Sequence, residues 1–161
     1  MLKKIISGGQ TGADRAGLDA AKFLKIKTGG YCPKGYLTET GYDLSLKTYG
    51  LKQTKSELYT ERTLKNVLSG DGTVLFCRMD KNKNIIGEGT AYTYQLTLEH
   101  NKPVIINPTG KQFIKWIKDN NIKILNVAGN RESQYLGIYK KAKAALIKYI
   151  RELGSENTIV A

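Results

Sequence analysis

The chain reads as an α/β protein with a mostly parallel sheet, and three observations predict it. Short apolar runs such as LKKIIS, TVLFC, KPVIIN and ILNVAG recur along the 161 residues. Segments with helical spacing of apolar residues separate them, and glycine-rich turns join several of the runs to the helices that follow. Strands alternating with helices of this length imply crossover connections and a sheet covered on both faces. The expected architecture is a Rossmann-like three-layer sandwich of about five strands. One domain is expected over residues 1–153, long enough to bury a core, with residues 154–161 as a frayed tail.

The elements follow in order. Residues 2–7 form a first strand, and a helix over 14–24 turns Leu18, Ala21 and Phe23 toward the core. Residues 26–31 read as a short second strand leading into GGYCPKG. Residues 32–55, rich in Gly, Thr, Tyr and Lys, read as a long irregular loop of the kind that carries function or moves. Ser56 is the expected cap of a helix running to Leu68, with Leu58, Leu64, Val67 and Leu68 on one face. TVLFC is a continuous apolar run suited to a buried parallel strand. A helix over 90–100 and the strand KPVIIN come next. A helix over 109–120 follows, capped by Thr109, with Phe113, Trp116 and Ile117 inward. IKILNVAG is the fifth strand, and 137–153 the closing helix.

Composition limits the function classes. Lysine and arginine total 26 against 14 acidic residues, for a net charge of +12. The lysines are scattered rather than gathered into a basic block with interleaved aromatics, so nucleic acid is an unfavoured partner. A positive field would still draw in a small anion. Cys32 and Cys77 have no metal-ligand or redox spacing, so no metal site is expected and a reduced, cytoplasmic setting is. The start MLKKIISGG lacks the apolar core and cleavage site of a secretory leader. No apolar run approaches the roughly 20 residues that span a bilayer, so no membrane partner is expected.

In an open parallel sheet, ligands bind beyond the carboxyl ends of the strands. SGGQTGADR, GGYCPKG, GEGT and AGNRES all follow predicted strands there. SGGQTGAD is neither a P-loop nor GxGxxG, yet it shares their physics. Gly8 and Gly9 admit close backbone approach, Gly12 a tight turn, and the helix start offers N–H groups and a positive dipole end. Ser7, Gln10 and Thr11 add neutral donors, while Asp14 suits a helix start, a ribose hydroxyl or a cation. GEGTAYT is a second turn of this kind, and on a neighbouring strand it makes two nests facing one ligand. Five arginines occur in all, and Arg15, Arg62 and Arg131 fall in motif-like contexts where fork geometry matters. His100 near a helix end reads as structural. Cys77 reads as core, and Cys32 as packing or a thiol at the ligand edge. Tyr31, Tyr42, Tyr49 and Tyr59 either stack on a heterocycle or hold the long loop together.

SGGQTGADRAGLDAA, GGYCPKG, YTERTLKNVLSGDGTVLF, GEGTAYT, KPVIIN and ILNVAGNRES together resemble the molybdenum-carrier family, in the same order from Lys3 to Ile150. That family shares a Rossmann-like superfamily with lysine-decarboxylase-like cytokinin-activating enzymes and a DNA-processing protein. The resemblance implies a homo-oligomeric binding protein for a nucleotide-like or pterin-like anion, with molybdenum cofactor as one such ligand. Its binding positions map onto Gly8, Gly9, Gln10, Thr11, Gly12, Asp14, Arg15, Lys34, Gly35, Arg62, Asn66, Gly87, Gly89, Thr90, Gly129 and Arg131. Ser7 and Glu88 join them from the reading of the turns. The chain departs from the family at Tyr31 (usually Trp), Glu88 (usually Gly) and Asn130 (usually Pro), and Glu88 sets a carboxylate beside an anion nest. Thr93 stands where the phosphoribohydrolase relatives carry a glutamate, and no nucleophile with a base beside it is evident. The leading expectation is therefore binding or carriage without catalysis. The alternatives are sequestration of a cyclic ADP-ribose-type signal, as in a viral protein, and hydrolysis of a nucleoside monophosphate.

Overall fold

The computed structural model describes residues 1–159. The strands are β1 (Lys4–Ile6), β2 (Lys27–Cys32), β3 (Leu37–Thr38), β4 (Gly41–Tyr42), β5 (Leu51–Gln53), β6 (Gly72–Phe76), β7 (Val104–Ile106) and β8 (Ile124–Gly129). The helices are α1 (Ala13–Phe23), α2 (Tyr59–Ser69), α3 (Glu88–Glu99), α4 (Gly110–Asp119) and α5 (Ile138–Ile159). Six strands form one sheet in the order β5-β2-β1-β8-β6-β7, every pair parallel. The Rossmann-like α/β class expected from the sequence is the one observed.

α1, α4 and α5 cover one face, and α2 and α3 the other. Successive residues of a strand point to opposite faces, so the two faces of β8 differ in kind. Leu125 and Val127 enter the main core with Ile5, Val74, Phe113 and Leu146. Asn126 and Ala128 point under α2 and α3 and line a cavity. α4 follows its predicted pattern: Phe113 and Ile117 are buried, and Thr109 and Gln112 form a reciprocal capping box.

Residues 32–55 are more ordered than expected. They hold two 3-10 turns, the antiparallel β3–β4 hairpin and β5, the sixth strand of the sheet. Leu46, Tyr49 and Leu51 pack with Leu18 and Cys32 in a second small core. The signal was weak because β5 is three residues long and two of them are exposed.

Other differences have local causes. Phe23 is exposed, at 57%, because the apolar positions of α1 that face the sheet are alanines and Leu18. α2 begins at Tyr59, and Ser56 accepts the Leu58 N–H instead of capping the helix directly. Leu58 and Leu68 are exposed while Thr63 and Asn66 are buried with Val67, because α2 faces a polar cavity. β1 and β6 are not neighbours, since β8 lies between them. α5 continues through Ile159, past Leu153, so residues 154–159 are helical; residues 160–161 of the expected tail lie outside the described residues. No helix among the described residues is long and apolar enough to cross a membrane.

Candidate functional site

A cavity of about 280 Å³ opens where the turns after β1 and β8 meet the starts of α2 and α3. β1 leads to Gly8 and Gln10, and α1 contributes Asp14. α2 adds Tyr59, Arg62, Thr63 and Asn66, and α3 adds Glu88, Gly89, Thr90, Tyr92 and Thr93. Asn126, Ala128, Gly129, Arg131 and Gln134 come from β8 and the turn beyond it.

One ion pair organises the wall. Arg62 Nη1 donates to Asp14 Oδ2 at 2.9 Å, with the Asp14 side chain 4% exposed and Arg62 13%. Asp14 also accepts the Gln10 N–H at 3.2 Å. Burial is the largest influence on this carboxyl and raises its pKa; the Arg62 charge and the Gln10 N–H oppose it without cancelling it. The pair explains Gly8, where a Cβ would stand 1.5 Å from Arg62 Nη1 and 2.8 Å from Asp14 Oδ2. Gly129 answers a different constraint. Its φ is +151°, and a Cβ would sit 2.0 Å from the Phe76 carbonyl oxygen, so β8 closes on β6 only with glycine there.

Two guanidinium groups converge on one ring, Arg62 at 5.3 Å and Arg131 at 5.9 Å from the centroid of Tyr59. Arg131 is also 3.8 Å from Glu39 on the β3–β4 turn. Burial tends to raise the Glu39 carboxyl, but bonds from Ser133 and Thr11 and the nearby Arg131 charge together hold it below its ordinary value. α3 starts at the cavity without a side-chain cap, so its first turn presents N–H groups that the helix itself leaves unbonded. Asn130 fixes that start: its Nδ2 donates to the Ile86 carbonyl at 2.7 Å and lies 3.3 Å from Thr90 Oγ1, and its Oδ1 accepts the Arg78 N–H at 2.7 Å. The departure at Asn130 thus has a structural purpose.

The turn SGGQTGAD behaves differently from the expectation of an open anion nest. The Gly9 N–H goes to Ser7 Oγ, Gln10 N–H to Asp14, Thr11 N–H to Gln10 Oε1 and Ala13 N–H to the Asn130 carbonyl. Its own side chains and the β8 turn therefore consume those donors. The starts of α3 and α2 at the cavity both lack a side-chain cap.

The expected residues separate accordingly. Gly8, Gln10, Asp14, Arg62, Asn66, Glu88, Gly89, Thr90, Gly129 and Arg131 line the cavity. Ser7 is buried behind it, bonded to the Asp14 carbonyl. Gly9 faces Leu46 and Leu51, and Gly12 faces the backbone of Asn130 and Arg131. Thr11 bonds Glu39, and Gly87 faces Asn130 and Gln134. Lys34 and Gly35 sit in the first 3-10 turn, where the Gly35 N–H donates to Gln53 at 2.6 Å. Arg15 points away from the cavity to Asp43 and Tyr49. Asn66 is on the wall, but both ends of its amide are spent on the Tyr31 backbone, at 2.9 and 2.8 Å. Cys32 is fully buried, its thiol pushed up to about 11 by burial, and it packs in the second small core rather than lining the cavity.

The cavity also contains Thr93, and residues that the motifs did not single out: Thr60, Thr63, Tyr92, Asn126, Ala128 and Gln134. Asn126 carried a signal, as a lone amide inside an apolar strand. Among the described residues no group of three or more His, Cys, Asp or Glu is placed to hold a metal ion.

Fold and cavity define the class: a parallel α/β domain with a polar cavity at the carboxyl edge of its sheet. Over residues 5–150 the sequence matches the Circularly permutated YpsA SLOG family, and the chain belongs to that family. It is similar to the crystal structure titled "Putative molybdenum carrier protein" from Syntrophus aciditrophicus SB, with 34% identity, 93% of each chain covered and a TM-score of 0.78. No curated protein matches it.

Proposed function

We propose that this protein binds a small phosphate-bearing ligand, nucleotide-like or pterin-like, and holds it without cleaving it. The observation that carries this reading is the meeting of Arg62, Arg131 and the uncapped start of α3 around one cavity. Guanidinium forks and helix-start N–H groups suit an anion of several oxygens. Tyr59 and Tyr92 supply aromatic wall for a flat group. The carboxylates favour binding over hydrolysis. Asp14 is committed to Arg62, and Thr93 donates its hydroxyl to the Gly89 carbonyl at 2.9 Å where hydrolase relatives place a glutamate.

Family membership and the molybdenum-carrier neighbour make molybdenum cofactor one ligand to test as cargo. Its phosphate and heterocycle suit these donors, while Glu88 at the α3 start is the residue least suited to an anionic metal centre.

Thermal melting with ribose 5-phosphate, nucleoside monophosphates, a pterin phosphate and molybdate tests the reading. A ligand at about 100 times its Kd adds about 2.7 kcal/mol, a rise of roughly 5–10 °C for a chain of this size. Arg131→Ala is expected to abolish the rise and to leave the melting of the free protein nearly unchanged. No rise with any phosphate, or a rise indifferent to Arg131, refutes it.

A further inference from the structure

Among the described residues, the buried side-chain nitrogens and oxygens without a hydrogen-bond partner are Arg62 Nε and Asn126 Oδ1. Both residues line the same cavity. An unpaired buried polar atom is costly, so two in one cavity point to a bonding group that belongs there.

Asn126 is 2% exposed and lies opposite Thr73 in the β8–β6 register. Its Nδ2 donates to Thr73 Oγ1 at 3.2 Å, and its Oδ1 has no hydrogen-bond partner. From Asn126 to Gly129 the strand advances three residues, roughly 10 Å at about 3.3 Å each. The cavity therefore has an inner end under α2 and an outer end at the arginines and the α3 start. The outer end brings together two guanidinium groups and the N–H groups of the α3 start beside the Glu88 carboxylate, and the inner end offers a neutral acceptor. A bare phosphate or molybdate satisfies only the first.

We infer that Asn126 is a specificity-determining residue that accepts a hydrogen bond from an N–H on the flat heterocycle of a ligand whose phosphate lies near Arg131. The inference rests on the anion-binding reading above and narrows it to two sources that share this chemistry, a nucleotide and a pterin phosphate. Arg62 Nε supplies a donor to an acceptor on the same molecule. Thr73 is a positioning residue, acting only through the Asn126 amide.

Calorimetric titration separates the parts. The probes are ribose 5-phosphate, purine riboside 5′-monophosphate (whose base bears no N–H), AMP, GMP and neopterin monophosphate. At least one N–H-bearing heterocycle is expected to bind the unaltered chain about 10-fold or more tightly than purine riboside monophosphate. Asn126→Leu should shrink that gap to less than about 3-fold and leave ribose 5-phosphate affinity within about 2-fold, since it removes only the acceptor. Thr73→Val keeps the shape of the wall and should narrow the gap as well, so the inference stays exposed to test even if Asn126→Leu does not fold. The ligand whose advantage depends on Asn126 identifies the source. Equal binding of all probes including ribose 5-phosphate, or a gap that survives both substitutions, overturns the Asn126 assignment and leaves anion binding standing. Failure of ribose 5-phosphate and every nucleotide and pterin to bind overturns both.

Discussion

The two faces of the sheet are built from the same strands and to opposite ends. Under α1, α4 and α5 the strands present Ile5, Val74, Leu125 and Val127, and the helices answer with Phe113, Ile117, Ile138 and Leu146. Under α2 and α3 the strands present Thr73 and Asn126, and the buried helix residues include Thr63, Asn66, Thr90, Thr93 and Thr97. The first face is close-packed hydrocarbon, where burial drives stability. The second encloses a cavity whose buried polar groups are mostly tied to backbone. A helix with a threonine-lined inner side thus marks the cavity face.

The sharpest way to break this comparison is to truncate one residue on each side. Phe113→Ala should cost about 3–5 kcal/mol, the transfer and cavity loss of a fully buried aromatic. Thr93→Val, nearly equal in volume, should change stability by less than about 1 kcal/mol, because the lost hydroxyl bond is one within its own helix. Chemical unfolding of both variants decides it, and similar losses would mean that the cavity face is packed like the core.

Arg62 tests whether the cavity face has any strong stabilising element of its own. Arg62→Met should cost about 3–5 kcal/mol near neutral pH, since Asp14 is left buried without its counter-ion. The double variant Arg62→Met/Asp14→Asn should recover part of that loss. If the double variant is the less stable of the two, the pair is not what makes Arg62 matter.

The smallest effect is a pH dependence. The folded Asp14 carboxyl lies above its ordinary 3.8, so the stability it adds is fully present below 3.8 and is lost as pH rises through its folded pKa. The stability of the unaltered chain relative to Asp14→Asn should therefore improve on acidification from neutrality toward pH 3.8. Urea midpoints for the two proteins measure this, and a relative decline would show that the Arg62 charge outweighs burial.

Legibility followed local structure. The capping box at Thr109 and Gln112 and the run TVLFC were readable because their determinants lie within a few residues. Asp14 and Arg15 show where such reading stops. They are neighbours in one helical turn, about 100° apart around the axis, so one faces Arg62 and the other Asp43. The motif contained both, and only the packing of α1 assigned them. β5 was missed for a similar reason, since three residues joining a sheet edge acquire strand character from their partner β2.

By itself, the sequence determined the alternation of strands and helices, the parallel sheet, the edge at which the glycine turns gather and the family. Those follow from periodicity, turn chemistry and motif order, all written along the chain. Tertiary structure alone decided which donors remain for a ligand. A hydrogen-bonding group already paired has little left to offer, and its competitor is often remote in the chain. Asn130 takes the Ala13 N–H, Tyr31 occupies the Asn66 amide and Thr73 holds one end of Asn126. SGGQTGAD consequently builds the wall of the cavity, while the start of α3, Arg131 and Asn126 line it with groups not spent on that turn.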